Sequence, residues 1–275
     1  GFDRISGPAV INTPDKAGFD LEQDPGVPYL SNISFCGAQS GFNRSQAGKE
    51  GEGSLGHSGR ELEGMEIAGN TFDYPFIHGK AIQAAGQYSF VSCSDEAVEN
   101  GIVTLEDYPI VDYILGLEKE DPIAKAYYKT FSSPMQRLIT SYCQSGGNLF
   151  VSGAYVGSDM SGTQGNREFT EKILKYGYQG SLTDKSSNQI KGLGRTITIP
   201  RLPNESSYAV PAADCIVPVD TAFPVFTYAP GNQSAGIAYK GNYRTFVLGF
   251  PFESIQSEAD RATIMAGILG FFTQK

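Results

Sequence analysis

The segment GGNLFVSGAYVGSDM, residues 146–160, constrains the fold of this chain more than any other stretch. Its apolar run NLFVSG has the length and composition of a strand buried on both faces. Directly after it, Gly153 and Gly157 bracket Tyr155. Several α/β enzymes present a reactive serine or cysteine on a glycine-x-nucleophile-x-glycine turn that follows such a strand. The spacing therefore predicts a tight strand-to-helix turn with the Tyr155 side chain at a cleft.

The regular part of the chain alternates strand and helix patterns. The apolar run IVDYILG predicts a second buried strand, so residues 110–115 and 149–152 are expected to be central parallel strands. Helices are predicted at 133–145 and 257–272, from an apolar stripe and from capping residues. The later strand patterns are shorter and hairpin-like, at 194–200, 234–239 and 243–250. Together these patterns predict a three-layer α/β fold, in which a mainly parallel sheet has helices on both faces and an antiparallel C-terminal extension.

The length of 275 residues suits one large α/β domain or two smaller ones, and no internal repeat divides the chain. We expect a single domain over residues 1–275. Its first part, residues 1–70, is rich in glycine and shows no sustained periodicity. A loop segment of that length usually forms a lid, a binding surface or a mobile segment.

Composition excludes several classes of function. A net charge of −9 and a pI near 4.8, with scattered Lys and Arg, argue against nucleic acid as a partner. No apolar run is long enough to span a membrane, and no signal-peptide pattern opens the sequence. The four cysteines show no CxxC spacing and only two histidines are present, so neither a disulfide scaffold nor a structural zinc site is predicted. The glycine-rich stretch 49–59 lacks the Gly-Lys-Ser/Thr ending of a phosphate loop, and no cofactor is predicted.

The stretch YCQSGGNLFVSGAYVG resembles the helix, glycine pair, strand and turn of the class I glutamine amidotransferase-like fold, which is flavodoxin-like. In that family a cysteine on the turn attacks an amide carbon, and a histidine and a glutamate follow a late strand. Here Tyr155 stands at the cysteine position and Pro251 at the histidine position, so that Glu253 alone is retained. The resemblance therefore implies the fold without the catalytic triad, a pseudoenzyme.

Longer stretches are similar to domains of large secreted proteins of Gram-negative gut bacteria, called xanthan lyase-like or N-acetylmuramoyl-L-alanine amidase-like. They include FDRISGPA, GNTFDYPFIHGKAI and LGFPFESI, and the resemblance spans nearly the whole chain. It implies a periplasmic, cell-surface or extracellular location. It also implies other domains of the same polypeptide, and carbohydrate or peptidoglycan, as partners. A hydrophobic strand commonly precedes FDR in that group, so the first strand of the sheet is expected to lie before Gly1.

A rearranged catalytic site is the second hypothesis. In FDYPFIHG, Asp73 lies close enough to His78 in sequence to orient its imidazole as a general base. The alternative is that His78 opens a helix and bonds a backbone carbonyl. Cys93 ends a strand-like run, and its thiol becomes a nucleophile only if a neighbour such as His78 lowers its pKa. Glu253 is the fourth candidate for a catalytic role.

A cleft around the glycine turn is predicted to bind ligand rather than to react. Acidic and aromatic side chains around such a cleft suit sugar hydroxyls and ring faces as well as they suit catalysis. Two functions follow. One is a non-catalytic module that binds glycan or packs against neighbouring domains. The other is a hydrolase of polysaccharide or cell-wall amide. The residues expected to line this cleft are Gly153, Tyr155, Gly157, Ser158, Asp159 and Phe252.

Overall fold

The computed structural model describes residues 74–86, 88–120, 129–182, 188–200, 210 and 212–274, and the backbone of four short strands before them. Those strands are β1 (Ser6–Gly7), β2 (Ile11–Thr13), β3 (Lys16–Gly18) and β4 (Ser40–Gly41). β1 pairs with β4 and β2 with β3, both antiparallel. The rest of the segment predicted to be loop-rich, residues 1–70, lies outside the described residues.

The main sheet has seven strands and is mixed. The order across it is β5 (Ile110–Gly116), β6 (Asn148–Gly153), β13 (Arg244–Leu248), β12 (Ser234–Lys240), β11 (Phe223–Ala229), β8 (Gln189–Gly192) and β9 (Arg195–Thr198). Only the pairs of β6 with β5 and with β13 are parallel. A separate antiparallel pair consists of β7 (Tyr176–Ser181) and β10 (Asp214–Pro218).

Five α-helices accompany the strands in the described part of the chain. The helix over 133–144 begins where the Ser132 hydroxyl accepts the Met135 amide, and the C-terminal helix where Ser257 accepts the Asp260 amide. Both were predicted, and both are confirmed. The helices are α1 (Tyr74–Ala85), α2 (Asp95–Glu99), α3 (Ser133–Gln144), α4 (Gln164–Phe169), which continues into a π-helical turn (Thr170–Leu174), and α5 (Glu258–Thr273).

Side chains that alternate along β6 divide the core between the two faces of the sheet. Phe150 packs into a cluster with residues of α1 and α5. Leu149 and Val151 pack into the other cluster, with residues of α3. The parallel end of the sheet is therefore buried on both sides, as the continuous apolar runs of its strands indicate.

The predicted fold class is wrong. Four of the six neighbouring strand pairs in the sheet are antiparallel, so it is not the mainly parallel sheet of a flavodoxin-like, three-layer fold. β6 lies between two strands as expected, but β5, predicted to be central, is the outermost strand of the described sheet. An apolar run shows that both faces of a strand are buried. It does not show how many neighbours the strand has, and this is why the prediction failed.

Candidate functional site

The carboxyl ends of β5, β6 and β13 meet at one edge of the sheet, because these three strands are parallel and in register. After β6 the chain forms turns over residues 154–160, in which the Asp159 amide donates to the Tyr155 carbonyl at 3.2 Å. A Cβ on Gly153 would lie 2.7 Å from Leu115 Cβ, and one on Gly157 would lie 2.7 Å from Tyr178 Cδ2. Close packing against neighbouring side chains therefore requires glycine at both positions.

The Tyr155 side chain is buried, with 7% of its surface exposed, in the cluster that contains residues of α1 and α5. The Lys119 ammonium lies 4.5 Å from the centre of its ring, within the range of a cation–π interaction. The phenol ring thus contributes to the core and does not present an open face on which a sugar could stack.

The backbone amides of the turn bind a carboxylate of the protein itself. The Gly157 and Ser158 amides donate to Asp214 Oδ2 at 2.8 and 2.7 Å, and the Ser158 hydroxyl donates to the same atom. Ser181 donates to Asp214 Oδ1 at 2.8 Å. Burial raises the pKa of Asp214, and the hydrogen bonds lower it. Burial has the larger effect, and the pKa is about 6. At neutral pH the turn therefore holds an internal anion where an oxyanion of a substrate would otherwise bind.

Asp159 also has an internal role. Its carboxylate accepts the Glu120 amide and both the amide and the hydroxyl of Thr130. The Lys129 ammonium lies 3.4 Å from Asp159 Oδ1. These contacts fasten the turn after β6 to the segments that follow β5 and precede α3.

The structure brings two of the candidate catalytic residues together, His78 and Glu253. His78 Nε2 lies 3.2 Å from Glu253 Oε2, and His78 Nδ1 lies 2.7 Å from Asp112 Oδ2. Only 1% of the surface of His78 is exposed, and the Phe252 ring packs edge-on against it at 4.7 Å. α1 supplies the imidazole, β5 supplies Asp112, and the short helical turn after β13 supplies Phe252 and Glu253. The backbone carbonyl expected as a partner of His78 is replaced by two carboxylates.

These two carboxylates determine the charge of the imidazole. Burial lowers the pKa of His78, but the charges and hydrogen bonds of Asp112 and Glu253 outweigh it and raise the pKa to about 9. His78 is therefore an imidazolium ion at neutral pH. It has no nitrogen available to accept a proton, which a general base requires.

The described structure does not join the remaining candidates to His78. Asp73 lies outside the described residues. Cys93 is exposed, and no hydrogen bond joins its thiol to His78 in the described part of the chain. Partial burial and the charge of Asp95 raise the pKa of Cys93. Cys143 and Cys215 are buried, and burial raises their pKa values to about 12 and about 11.

Sequence reasoning missed Asp112 and Asp214. Both are acidic residues inside or at the start of an otherwise apolar strand, IVDYILG and DCIVP. A charge in such a run needs a buried partner, and that was the signal available in the sequence.

An apolar cavity of about 420 Å³ lies beside the ion-paired histidine. His78, Asp112 and Cys93 are on its walls. Within the described ranges, no group of three or more histidine, cysteine, aspartate or glutamate side chains is arranged to hold a metal ion. None of the helices described is long and apolar enough to cross a membrane.

Comparison with known proteins gives distant structural similarities only. No protein-family model and no curated protein matches the chain. Gan42B, a GH42 β-galactosidase from G. stearothermophilus, covers 76% of the chain at 11% identity with a TM-score of 0.49. The β-galactosidase from Rahnella sp. R3 covers 72% at 14% identity, with a TM-score of 0.44. The mmIFT52 N-terminal domain covers 72% at 13% identity, with a TM-score of 0.46.

The chain spans 27% and 26% of the length of these two galactosidases. The β-galactosidase activity in their names describes those longer proteins and is not transferred to this chain. At TM-scores below 0.5 the similarities support no argument about the activity of this chain.

The expected membership of the glutamine amidotransferase-like family is wrong. Four of the six neighbouring strand pairs in the described sheet are antiparallel, which does not fit the mainly parallel sheet of that family, and no protein-family model matches the chain. The terms flavodoxin-like, xanthan lyase-like and secreted, which came with that resemblance, have no support. The motif on which it rested is a helix, a strand and a turn, and such a local unit does not determine how the remaining strands pair.

Proposed function

We propose that this domain is a non-catalytic module that works by packing against other polypeptide, as one part of a larger assembly. The observation that carries the proposal is the ion-paired state of His78. Both of its ring nitrogens are bonded to carboxylates, and its side chain is closed to solvent. A general base needs a free nitrogen within reach of a substrate proton, and this arrangement offers none.

The turn after β6 supports the same proposal. Its Gly157 and Ser158 amides would be the natural site for an oxyanion, and Asp214 already occupies them. An oxyanion bound beside that carboxylate would be repelled rather than stabilised.

Packing against polypeptide is favoured over glycan binding because of where the predicted cleft residues lie. Tyr155, Phe252 and Glu253 are buried, and the Asp159 carboxylate is bonded within the protein. Sugar recognition needs exposed aromatic faces and available polar groups. The cavity beside His78 is instead lined mainly by apolar side chains.

The test is to observe the protonation of His78 directly. The chain has two histidines, so a His57→Gln variant leaves the imidazole of His78 as the only one in a nitrogen–carbon correlation NMR spectrum. We expect both ring nitrogens to carry protons at pH 7.5, with titration near the pKa of about 9. The same variant should show no turnover of p-nitrophenyl β-galactoside or of glutamine above buffer.

Two results would overturn the proposal. One is titration of His78 at or below pH 7 with a single protonated nitrogen, which would make it a usable base. The other is turnover of either compound that disappears in the His57→Gln, His78→Gln double variant. Circular dichroism of the double variant separates loss of activity from loss of fold.

A further inference from the structure

We infer that the apolar cavity beside β5 is a slot for one extended apolar β-strand, supplied by polypeptide outside the 275 residues of this sequence. The inference goes beyond the proposed packing role, because it identifies the surface and the conformation of the partner.

Two uninterrupted segments of the chain form the side walls of the cavity. Residues 88–95 form one wall, and residues 108–114, which include most of β5, form the other. β5 pairs with β6 on one side, and no described strand pairs with its other side. In residues 89–93, no backbone group bonds to another described residue. Among the described residues, the peptide groups of residues 89–93 and those β5 peptide groups of residues 110–114 that point away from β6 have no backbone partner, and one inserted strand could bond to both rows.

The two other surfaces of the slot, which lie between the side walls, are apolar. Met265 and Ile268 of α5 lie on one side and belong to the core cluster that contains Phe150, and Ile82 of α1 packs against that cluster. Val98, Leu105 and Ile139 lie on the other side and belong to the second cluster. A strand in the slot would bury side chains on both faces. Such strands are near-continuous runs of valine, isoleucine and leucine.

The wall at 88–95 is anchored in a way that keeps the slot open. The Phe90 ring packs so closely on Gly79 of α1 that a Cβ there would lie 2.4 Å from Phe90 Cζ. At the other end, the Ser94 hydroxyl caps α2 by accepting the Ala97 amide. Between these anchors Val91 remains 70% exposed, which is unusual for a residue in a β-rich run.

One polar atom in the slot also lacks a partner. Asp112 Oδ2 is paired with His78, whereas Asp112 Oδ1 is buried and has no hydrogen-bond partner among the described residues. A buried carboxylate oxygen left without a donor is costly. A threonine or serine hydroxyl in the inserted strand, or one of its backbone amides, would supply that donor.

The strand that fills the slot cannot come from the ordered β5 edge of a second copy. Each side of the occupant must pair with a wall, and β5 of another copy already uses one side for β6. The source of the strand rests on the packing role proposed above, in which this domain packs against other polypeptide.

The experiment uses a soluble peptide with six consecutive valine, isoleucine and threonine residues between terminal lysines. A control peptide has glutamate at every second position of that run. Binding is measured by anisotropy of the labelled peptide. A second readout is the rate at which iodoacetamide alkylates Cys93 in a Cys36→Ser background, since Cys93 is exposed on the slot wall whereas Cys143 and Cys215 are buried.

We expect saturable binding of the apolar peptide, slower alkylation of Cys93, and neither effect with the control peptide. Ile82→Glu places a charge in the slot and should weaken binding by at least about tenfold. Phe76→Glu is the matched control on α1, because Phe76 is 64% exposed and does not line the slot. It should bind like the wild type.

Three results would overturn the inference: equal binding of both peptides, no protection of Cys93 by the apolar peptide, or protection by octanoate but not by the peptide. Should Ile82→Glu fail to fold, the protection of Cys93 in the Cys36→Ser protein still decides the question.

Discussion

Two buried sites hold charge in this molecule, and they do so by different means. At the turn after β6, the Asp214 carboxylate is bonded to amides and hydroxyls, which are neutral donors. Beneath α1, the His78 imidazolium is bonded to two carboxylates. The His78 and Asp214 side chains are both closed to solvent, so contacts with neighbouring groups must offset the hydration free energy that each charge loses.

The two pKa values show which means is the more effective. Neutral dipoles only partly offset the burial of Asp214, whose pKa rises from 3.8 to about 6. Opposite charges more than offset the burial of His78, whose pKa rises from 6.5 to about 9. Removing a partner should therefore be most costly at the histidine site, where full charges face each other at close range.

The largest effect is expected for His78→Ala. The substitution removes the imidazolium from the buried Glu253 and the partly buried Asp112, and breaking a buried pair in this way typically costs about 3–5 kcal/mol. Urea unfolding at pH 7, followed by circular dichroism, measures the loss. Adding Glu253→Gln should restore part of the stability, because one of the two carboxylates that faced the imidazolium is then neutral.

A loss below about 1 kcal/mol for His78→Ala would show that the ion pairs contribute no more than an exposed pair does. Opposite charges would then not be what stabilises the His78 site, and its contrast with the Asp214 site would not hold.

The next effect is a pH dependence with two separate windows. The folded-state pKa of each group is raised, so the stability it contributes is complete at low pH and is lost as pH rises. The contribution of Asp214 is lost between pH 3.8 and about 6, and that of His78 between pH 6.5 and about 9. Each shift corresponds to about 3 kcal/mol. Urea midpoints measured from pH 4 to pH 9.5 test both windows.

Asp214→Asn separates the windows, because the amide keeps an acceptor for the turn but does not titrate. Relative to wild type, the variant should lose the fall in stability between pH 4 and pH 6 and keep the fall above pH 6.5. An unchanged acid slope in the variant would assign that slope to other groups and contradict the raised pKa of Asp214.

The smallest effect is expected for Lys80→Ala. Lys80 Nζ lies 3.1 Å from Glu258 Oε1, and this pair joins α1 to α5, but both side chains are about half exposed or more. Exposed pairs contribute about 0–1 kcal/mol because water screens them. Urea unfolding should detect a change within that range. A loss as large as that of His78→Ala would mean that burial does not distinguish the two sites.

Local features of the fold were well predicted by the sequence. The helices beginning near Ser133 and after Ser257, and the strands over 110–116 and 148–153, lie where capping residues and apolar runs place them. These signals act within a few residues, so each can be interpreted without knowledge of the rest of the chain.

Strand pairing was not predicted, for a physical reason. An apolar strand can pair parallel or antiparallel with similar burial, and the choice depends on how distant segments of the chain connect and pack around it. The resemblance built on one strand and its turn therefore led to a mainly parallel sheet, whereas the structure has a mixed one.

The sequence by itself determined where the helices over 133–144 and 258–273, the two apolar strands and the glycine turn lie, because periodicity, capping and glycine spacing are local. Only the tertiary structure decided the chemistry of the buried charges. His78 meets Asp112 across 34 residues and Glu253 across 175, and Gly157 meets Asp214 across 57. Such contacts depend on the order and register of strands, and no pattern within one segment contains that information.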